Sequence, residues 1–169
     1  SNLVLVNEDD TKRIKDSGIK SVFGNFSSHD RDTYNMITQT ENYDKAIRGI
    51  EILLNADISL ALNMVVTKLN RSQVYETGKF VHSLGMNSFC ATPAAPCEYM
   101  PDDAELSSDE VVEVLDDLLR LRDELDMSVD VVEPIPRCIV NNPEKYEHFF
   151  RRDCAAGKTT VYISPDGDV

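Results

Sequence analysis

YDKAIRGIEILLNADISLALNMVVTKLN, residues 43–70, sets a helical pattern directly against a strand pattern. Ala46, Ile47, Ile50, Leu53 and Leu54 recur at helical spacing, one apolar face of a helix over 42–55. Asn42 stands where an N-cap belongs. After Asn55 the pattern changes. Residues 58–67, ISLALNMVVT, are nearly all apolar, as expected of a parallel strand covered on both faces.

The same alternation extends both ways. Upstream, Glu8 to Ser17 reads as a short helix stopped by Gly18, and Ile19 to Phe26 as a buried strand. Downstream, Asn70 with Gln73 has the form of a capping box for a helix to Ser83, ended by Gly85. Asn87 to Thr92 is a third strand, and a proline-bearing loop over 94–103 follows. Ser107 with Glu110 opens a further helix, with Val111, Val114, Leu115, Leu118, Leu121 and Leu125 as its apolar stripe. Met127 to Val132 is a fourth strand.

Strands separated by helices imply βα units, a parallel sheet and right-handed crossovers, hence an α/β fold. About eight such units close a barrel. The count here predicts either a small open sheet or part of a barrel. After Pro136 the grammar changes. Residues 143–150 predict a short helix, and residues 159–163 a strand running into the turn Ser164-Pro165-Asp166-Gly167, then a second strand from Asp168. The chain therefore divides into 1–135 and a smaller hairpin module over 136–169.

Charge and composition narrow the function. The net charge is −13, and residues 102–126 hold eleven acidic residues against Arg120 and Arg122. Such a surface repels a phosphate backbone, so no nucleic-acid partner is expected. It is either a solvated helix face or a docking face for a basic partner. No apolar run approaches the roughly 20 residues of a membrane span, and no secretory signal opens the chain. The expectation is a cytoplasmic protein with no membrane partner.

GKTT at 157–160 resembles the end of a phosphate-binding loop, but Arg152 stands where glycine is required and a strand follows instead of a helix. A nucleotide site is excluded. Cysteines occur at 90, 97, 138 and 154, none in a C-x-x-C pair, which argues against a zinc ribbon. Cys154 is either a small buried hydrophobe or a ligand in irregular backbone of the kind iron–sulfur clusters use. His29, His82 and His148 form no recognisable constellation. His29 lies just past the carboxyl end of the first strand, where parallel sheets place their ligand sites, and Asn25, Ser27, Asn63 and Thr92 lie at or near strand ends. Asn63 also fits a core residue bonded to a neighbour.

Taken in order, several segments resemble the radical S-adenosylmethionine enzymes. SNLVLVNEDDTKRIKDSGIKSV (1–22) is similar to the stretch that follows the family's third barrel strand, with Ser1-Asn2-Leu3 in the place of a Thr-Asn-Gly turn. VFGNFSSHD (22–30) resembles its fourth strand, and Tyr34 to Thr38 the segment beyond it. Residues 43–70 are the closest match, Asn63 and Asn70 included, and LGMNSFCATPAAP (84–96) resembles the sixth strand and its exit. CAAGKTTVYISPDGDV (154–169) resembles the opening of a SPASM-type auxiliary cluster domain. The departures are Leu3 and Gln39, where glycines are expected, Asn25 where serine is common, and Glu41-Asn42 for a glycine pair. The three-cysteine loop that holds the catalytic cluster is not among these residues.

The resemblance implies the second half of a partial TIM-like barrel plus the start of an auxiliary domain, expected to be an inactive fragment. The whole enzyme would bind a 4Fe-4S cluster and S-adenosylmethionine, with an auxiliary 4Fe-4S cluster and a peptide or protein substrate; no cofactor is expected on this piece. Carried over residue by residue, Asn25, Ser27, Asn63 and Thr92 would contribute to the S-adenosylmethionine pocket. Cys154 matches the first SPASM cysteine, and Cys138 lies where related chains sometimes carry another. Self-association over exposed sheet edges is expected of such a piece. The rival expectation is a non-catalytic α/β module whose acidic helix docks a partner.

Overall fold

A computed structural model describes residues 1–95, 104–150, 163 and 166–168. Strands β1 (Ser21–Asn25), β2 (Ser59–Val66), β3 (Ser88–Pro93) and β4 (Ser128–Asp130) form one parallel sheet in the order β1-β2-β3-β4. The helices are α1 (Glu8–Asp16), α2 (Arg31–Thr38), α3 (Tyr43–Asn55), α4 (Val74–Ser83) and α5 (Ser108–Leu125). The α/β class and the parallel βα units are those the sequence predicts.

One sheet face carries the core. Leu60, Leu62, Met64 and Val66 of β2, Phe89 and Ala91 of β3, and Val129 of β4 are all buried with Ile50, Leu53, Leu115, Leu118 and Leu121 of the helices. The opposite face carries Phe23 and Asn25, then Ala61, Asn63 and Val65, then Cys90 and Thr92, then Asp130. Phe23 is 47% exposed and Val65 40%. The reading of 58–67 as covered on both faces is therefore corrected. Ala61 and Val65 made the run look doubly buried, yet among the described residues burial on the second face is confined to Asn63, Cys90 and Thr92 in the middle of the sheet, while Phe23 and Val65 stay exposed.

Local rules account for most element ends. Asn7 accepts from Asp9 and Asp10 amides and forms a capping box at α1; Ser107 and Glu110 form one at α5. Gly18 follows α1 with φ +78°, a conformation open to glycine. Two expected caps are not made. Asn42 makes no side-chain cap bond at α3. Asn70 and Gln73 form no capping box, because a 3₁₀ turn over Arg71–Gln73 precedes α4 and both side chains bond elsewhere.

Helix α2 has no counterpart in the sequence reading. Asp30 starts it by accepting from the Thr33 amide at 2.9 Å, and Gln39 ends it in the left-handed region at φ +52°. The short helix expected over 143–150 is present and winds as 3₁₀, Pro143–Phe150. The proposed strand 159–163, Cys154 and Cys97 lie outside the described residues, apart from Ile163; Gly167 has the positive φ, +89°, that the Pro-Asp-Gly turn requires. At the sheet edge, the Ser1 amino group donates to the Phe23 carbonyl at 2.9 Å and its carbonyl accepts from the Asn25 amide at 2.7 Å, one step of a parallel ladder on β1.

Candidate functional site

The carboxyl-terminal halves of β1, β2 and β3 bring three of the four expected pocket residues into one hydrogen-bonded row. Register places Asn25 opposite Asn63, both on the face opposite the core. The Asn63 Nδ2 donates to Asn25 Oδ1 at 3.5 Å, and Thr92 Oγ1 donates to Asn63 Oδ1 at 2.8 Å. The Val132 amide then donates to Thr92 Oγ1 at 2.9 Å. Asn63 and Thr92 are each 5% exposed, while Asn25 is open. Asn63 is buried and bonded to its neighbours, as the reading of a core residue expects, and it lies on the sheet face opposite the core.

Ser27 enters differently. It is the first residue beyond Phe26, whose amide still reaches the Asn63 carbonyl at 2.9 Å. The Ser27 carbonyl accepts from Asn70 Nδ2 at 2.9 Å. Fully buried Asn70 also donates to the Val65 carbonyl at 3.0 Å and accepts from the Thr67 amide at 2.8 Å. One amide thus ties the exits of β1 and β2 together, which is why it cannot serve as a cap.

The next residues are held by α4 and the turn before it. Ser28 Oγ donates to Gln73 Oε1 at 2.5 Å and accepts from the Asp30 amide at 2.9 Å. Gln73 Nε2 donates to Thr33 Oγ1 at 3.0 Å. The His29 amide donates to buried Thr77 Oγ1 at 3.2 Å, and Tyr43 donates its hydroxyl hydrogen to the His29 carbonyl at 2.7 Å. Asn70, Gln73 and Thr77, spaced three and four apart, form a polar stripe along one side of this segment. Sequence reasoning took the first two as caps and passed over Ser28 and Thr77. The readable signal was polar residues recurring at helical spacing.

Electrostatics here are mild. Backbone and side-chain hydrogen bonds from Thr33 hold the Asp30 carboxyl below its usual range. Burial pushes the Tyr34 and Tyr43 phenols up. No buried side-chain nitrogen or oxygen lacks a partner among the described residues.

For metals, Cys138 is exposed on the 3₁₀ turn Arg137–Ile139 and Cys90 is buried on β3. No three His, Cys, Asp or Glu side chains gather as a metal site among the described residues. The acidic helix α5 spends much of its charge inside the chain. Arg71 pairs with Glu110 at 3.0 Å and with Glu113, Lys145 with Asp116 at 2.6 Å, and Arg120 with Glu124 at 2.7 Å. No described helix is long and apolar enough to cross a membrane.

No protein-family model matches the chain, and no curated protein matches it. Solved structures do. Native anSMEcpe with bound AdoMet and Kp18Cys peptide superposes with a TM-score of 0.64 at 15% identity, covering 76% of this chain and 38% of that one. A domain of pyruvate-formate lyase-activating enzyme from Bacteroides vulgatus superposes with a TM-score of 0.59 at 10% identity, covering 78% of each. At these identities the likeness establishes the fold, that of the radical S-adenosylmethionine partial barrel, and the chain spans 38% of the length of anSMEcpe.

Proposed function

We propose that this chain is the substrate-side part of a radical S-adenosylmethionine enzyme that acts on a peptide or protein. The observation that carries the reading is the Asn25–Asn63–Thr92 row, set in the carboxyl-terminal halves of the strands, on the face opposite the core, in a sheet whose fold is shared with an AdoMet-bound structure. Ligands of parallel α/β sheets sit at the carboxyl ends of the strands.

The residues present fit the cofactor. Amides and hydroxyls suit the hydroxyl, amine and carboxylate groups of S-adenosylmethionine, and each Asn amide has two donors and one acceptor oxygen. Asn63 and Thr92 would hold the ligand against the sheet, oriented by their mutual hydrogen bond, while Asn25 would close the β1 side and Ser27 the rim above it. When bound together, S-adenosylmethionine and a reduced four-iron cluster supply a deoxyadenosyl radical that abstracts hydrogen. The protein's part is to position the reacting groups and keep water out. The three-cysteine loop that would hold that cluster is not among the described residues.

For residues 136–169 we propose the opening of an auxiliary cluster domain, with Cys154 and Cys138 as thiolate ligands. The substrate class follows the peptide in the anSMEcpe complex. Exposed Phe23 and Val65 on the face opposite the core support self-association of the isolated chain, which light scattering across a concentration series would register.

The test is anaerobic reconstitution of the whole encoded protein with iron and sulfide. A cluster absorbance band and release of 5′-deoxyadenosine from S-adenosylmethionine are expected. Absence of both overturns the reading.

A further inference from the structure

His29 is not one of the pocket residues proposed above, yet its surroundings define its chemistry. Its amide donates to Thr77 Oγ1 at 3.2 Å, and its ring Nδ1 lies 3.1 Å from the same oxygen. An amide only donates, so the Thr77 oxygen already serves as acceptor there. The Thr77 hydroxyl hydrogen has no other acceptor among the described residues. Thr38, by contrast, turns its hydroxyl hydrogen back to the Tyr34 carbonyl in the ordinary helical manner. Thr77 is fully buried, so water does not offer a substitute. The hydrogen therefore goes to Nδ1, which must be the unprotonated nitrogen, and Nε2 carries the ring proton.

The backbone reinforces this arrangement. The His29 carbonyl is held by the Tyr43 hydroxyl at 2.7 Å. The flanking residues Ser28 and Asp30 are bonded to one another, and Ser28 also to Gln73. The imidazole is thus fixed on a braced segment just beyond the end of β1, two residues past Ser27. Its Nε2–H has no partner among the described residues.

We infer that Thr77 locks His29 in the Nε2–H tautomer, and that His29 is a further binding residue, donating a hydrogen bond to an acceptor oxygen of the ligand at the carboxyl end of β1. His29 touches the ligand; Thr77 is a positioning residue that acts through it. The ligand named, S-adenosylmethionine, rests on the function proposed above; the tautomer does not.

Two measurements separate these. Two-bond ¹H–¹⁵N correlation of the ¹⁵N-labelled chain reports each imidazole's tautomer, and the pattern missing from His29→Gln identifies His29. A fully unprotonated Nδ1 in the native chain is expected, with a tautomeric mixture in Thr77→Val. An Nδ1–H form, or native and Thr77→Val spectra showing the same mixture, overturns the lock. In the reconstituted whole protein, equilibrium S-adenosylmethionine binding should weaken about tenfold in His29→Asn, whose amide occupies the Nδ1 position. It should stay within about threefold of native in His29→Gln, whose amide reaches the Nε2 position. Native-like binding in His29→Asn overturns the ligand role. If the native protein itself binds no S-adenosylmethionine, both the proposed function and this ligand role fail, while the tautomer measurement still decides the role of Thr77.

Discussion

Leu3 fills the space that a side chain on Gly24 would need. A Cβ built on Gly24 would lie 2.7 Å from Leu3 Cδ1, and one built on Gly49 would overlap the Leu3 carbonyl oxygen. Leu3 is fully buried, with φ +66°. The turn after Ser1 therefore keeps a left-handed backbone although leucine stands where the family resemblance expects glycine, and β1 and α3 each supply a glycine to receive it.

Gly49→Ala should be the more damaging change, because its obstacle is backbone that cannot move aside. A loss of about 3 kcal/mol in unfolding free energy is expected, against about 1 kcal/mol for Gly24→Ala, where a leucine methyl can shift. Leu3→Gly removes the strained φ, worth about 1 kcal/mol, but empties a core site at a cost of about 2–5 kcal/mol. It should therefore destabilise overall. Urea midpoints at constant m-value would rank the three.

Gln39 gives the opposite case. It too stands in a glycine position and holds φ +52°, but it is exposed at the end of α2 and fills no core site. Gln39→Gly removes a left-handed penalty of about 1 kcal/mol, offset in part by the greater freedom of glycine in the unfolded chain. A net gain of about 0.5 kcal/mol is expected, seen as a higher thermal midpoint.

This contrast shows what the sequence could and could not carry. Hydrophobic period and capping patterns located four helices, α1, α3, α4 and α5, and all four strands, because burial repeats along each element. It missed α2, whose start depends on one Asp30 hydrogen bond and whose apolar face is short. It could not show that Leu3 inherits a glycine conformation, since that requires two distant glycines. For the site, strand ends pointed to Asn25, Asn63 and Thr92. The mutual bonding of the row, and the bracing by Asn70, Gln73 and Thr77, depend on contacts between residues 29 to 48 positions apart.

Thr92→Val tests whether the row is built as a unit. Valine keeps the volume but leaves Asn63 Oδ1 without its donor and the Val132 amide without its acceptor. A loss of about 2 kcal/mol is expected, because groups in this setting are costly to leave unpaired. Asn63→Ala added to Thr92→Val should cost less than the two single losses summed, the signature of coupled partners in a double-mutant cycle. Strict additivity would show that the row has no cooperative role.

Asp117 of α5 supplies the pH dependence. Burial pushes its carboxyl above the ordinary range, with a hydrogen bond from the Tyr75 backbone and the charge of Arg120 acting against the rise. The folded chain therefore keeps this proton to higher pH than the unfolded chain does. The stability contributed is fully present below the unfolded pKa and is lost as pH rises through the folded value. Asp117→Asn, which cannot ionise, should raise the urea midpoint near pH 7 and leave it almost unchanged near pH 3. Asp30 should behave in reverse. Its carboxyl is held below the ordinary range by the Thr33 amide and hydroxyl. Its contribution is present above the unfolded pKa and is lost as pH falls through the folded value. Asp30→Ala should therefore destabilise near pH 7, with the difference from native shrinking toward pH 3. Unfolding curves of native, Asp117→Asn and Asp30→Ala chains across that range would check both signs. Two variants shifting in the same direction with pH would contradict the assignment of burial to Asp117 and capping to Asp30.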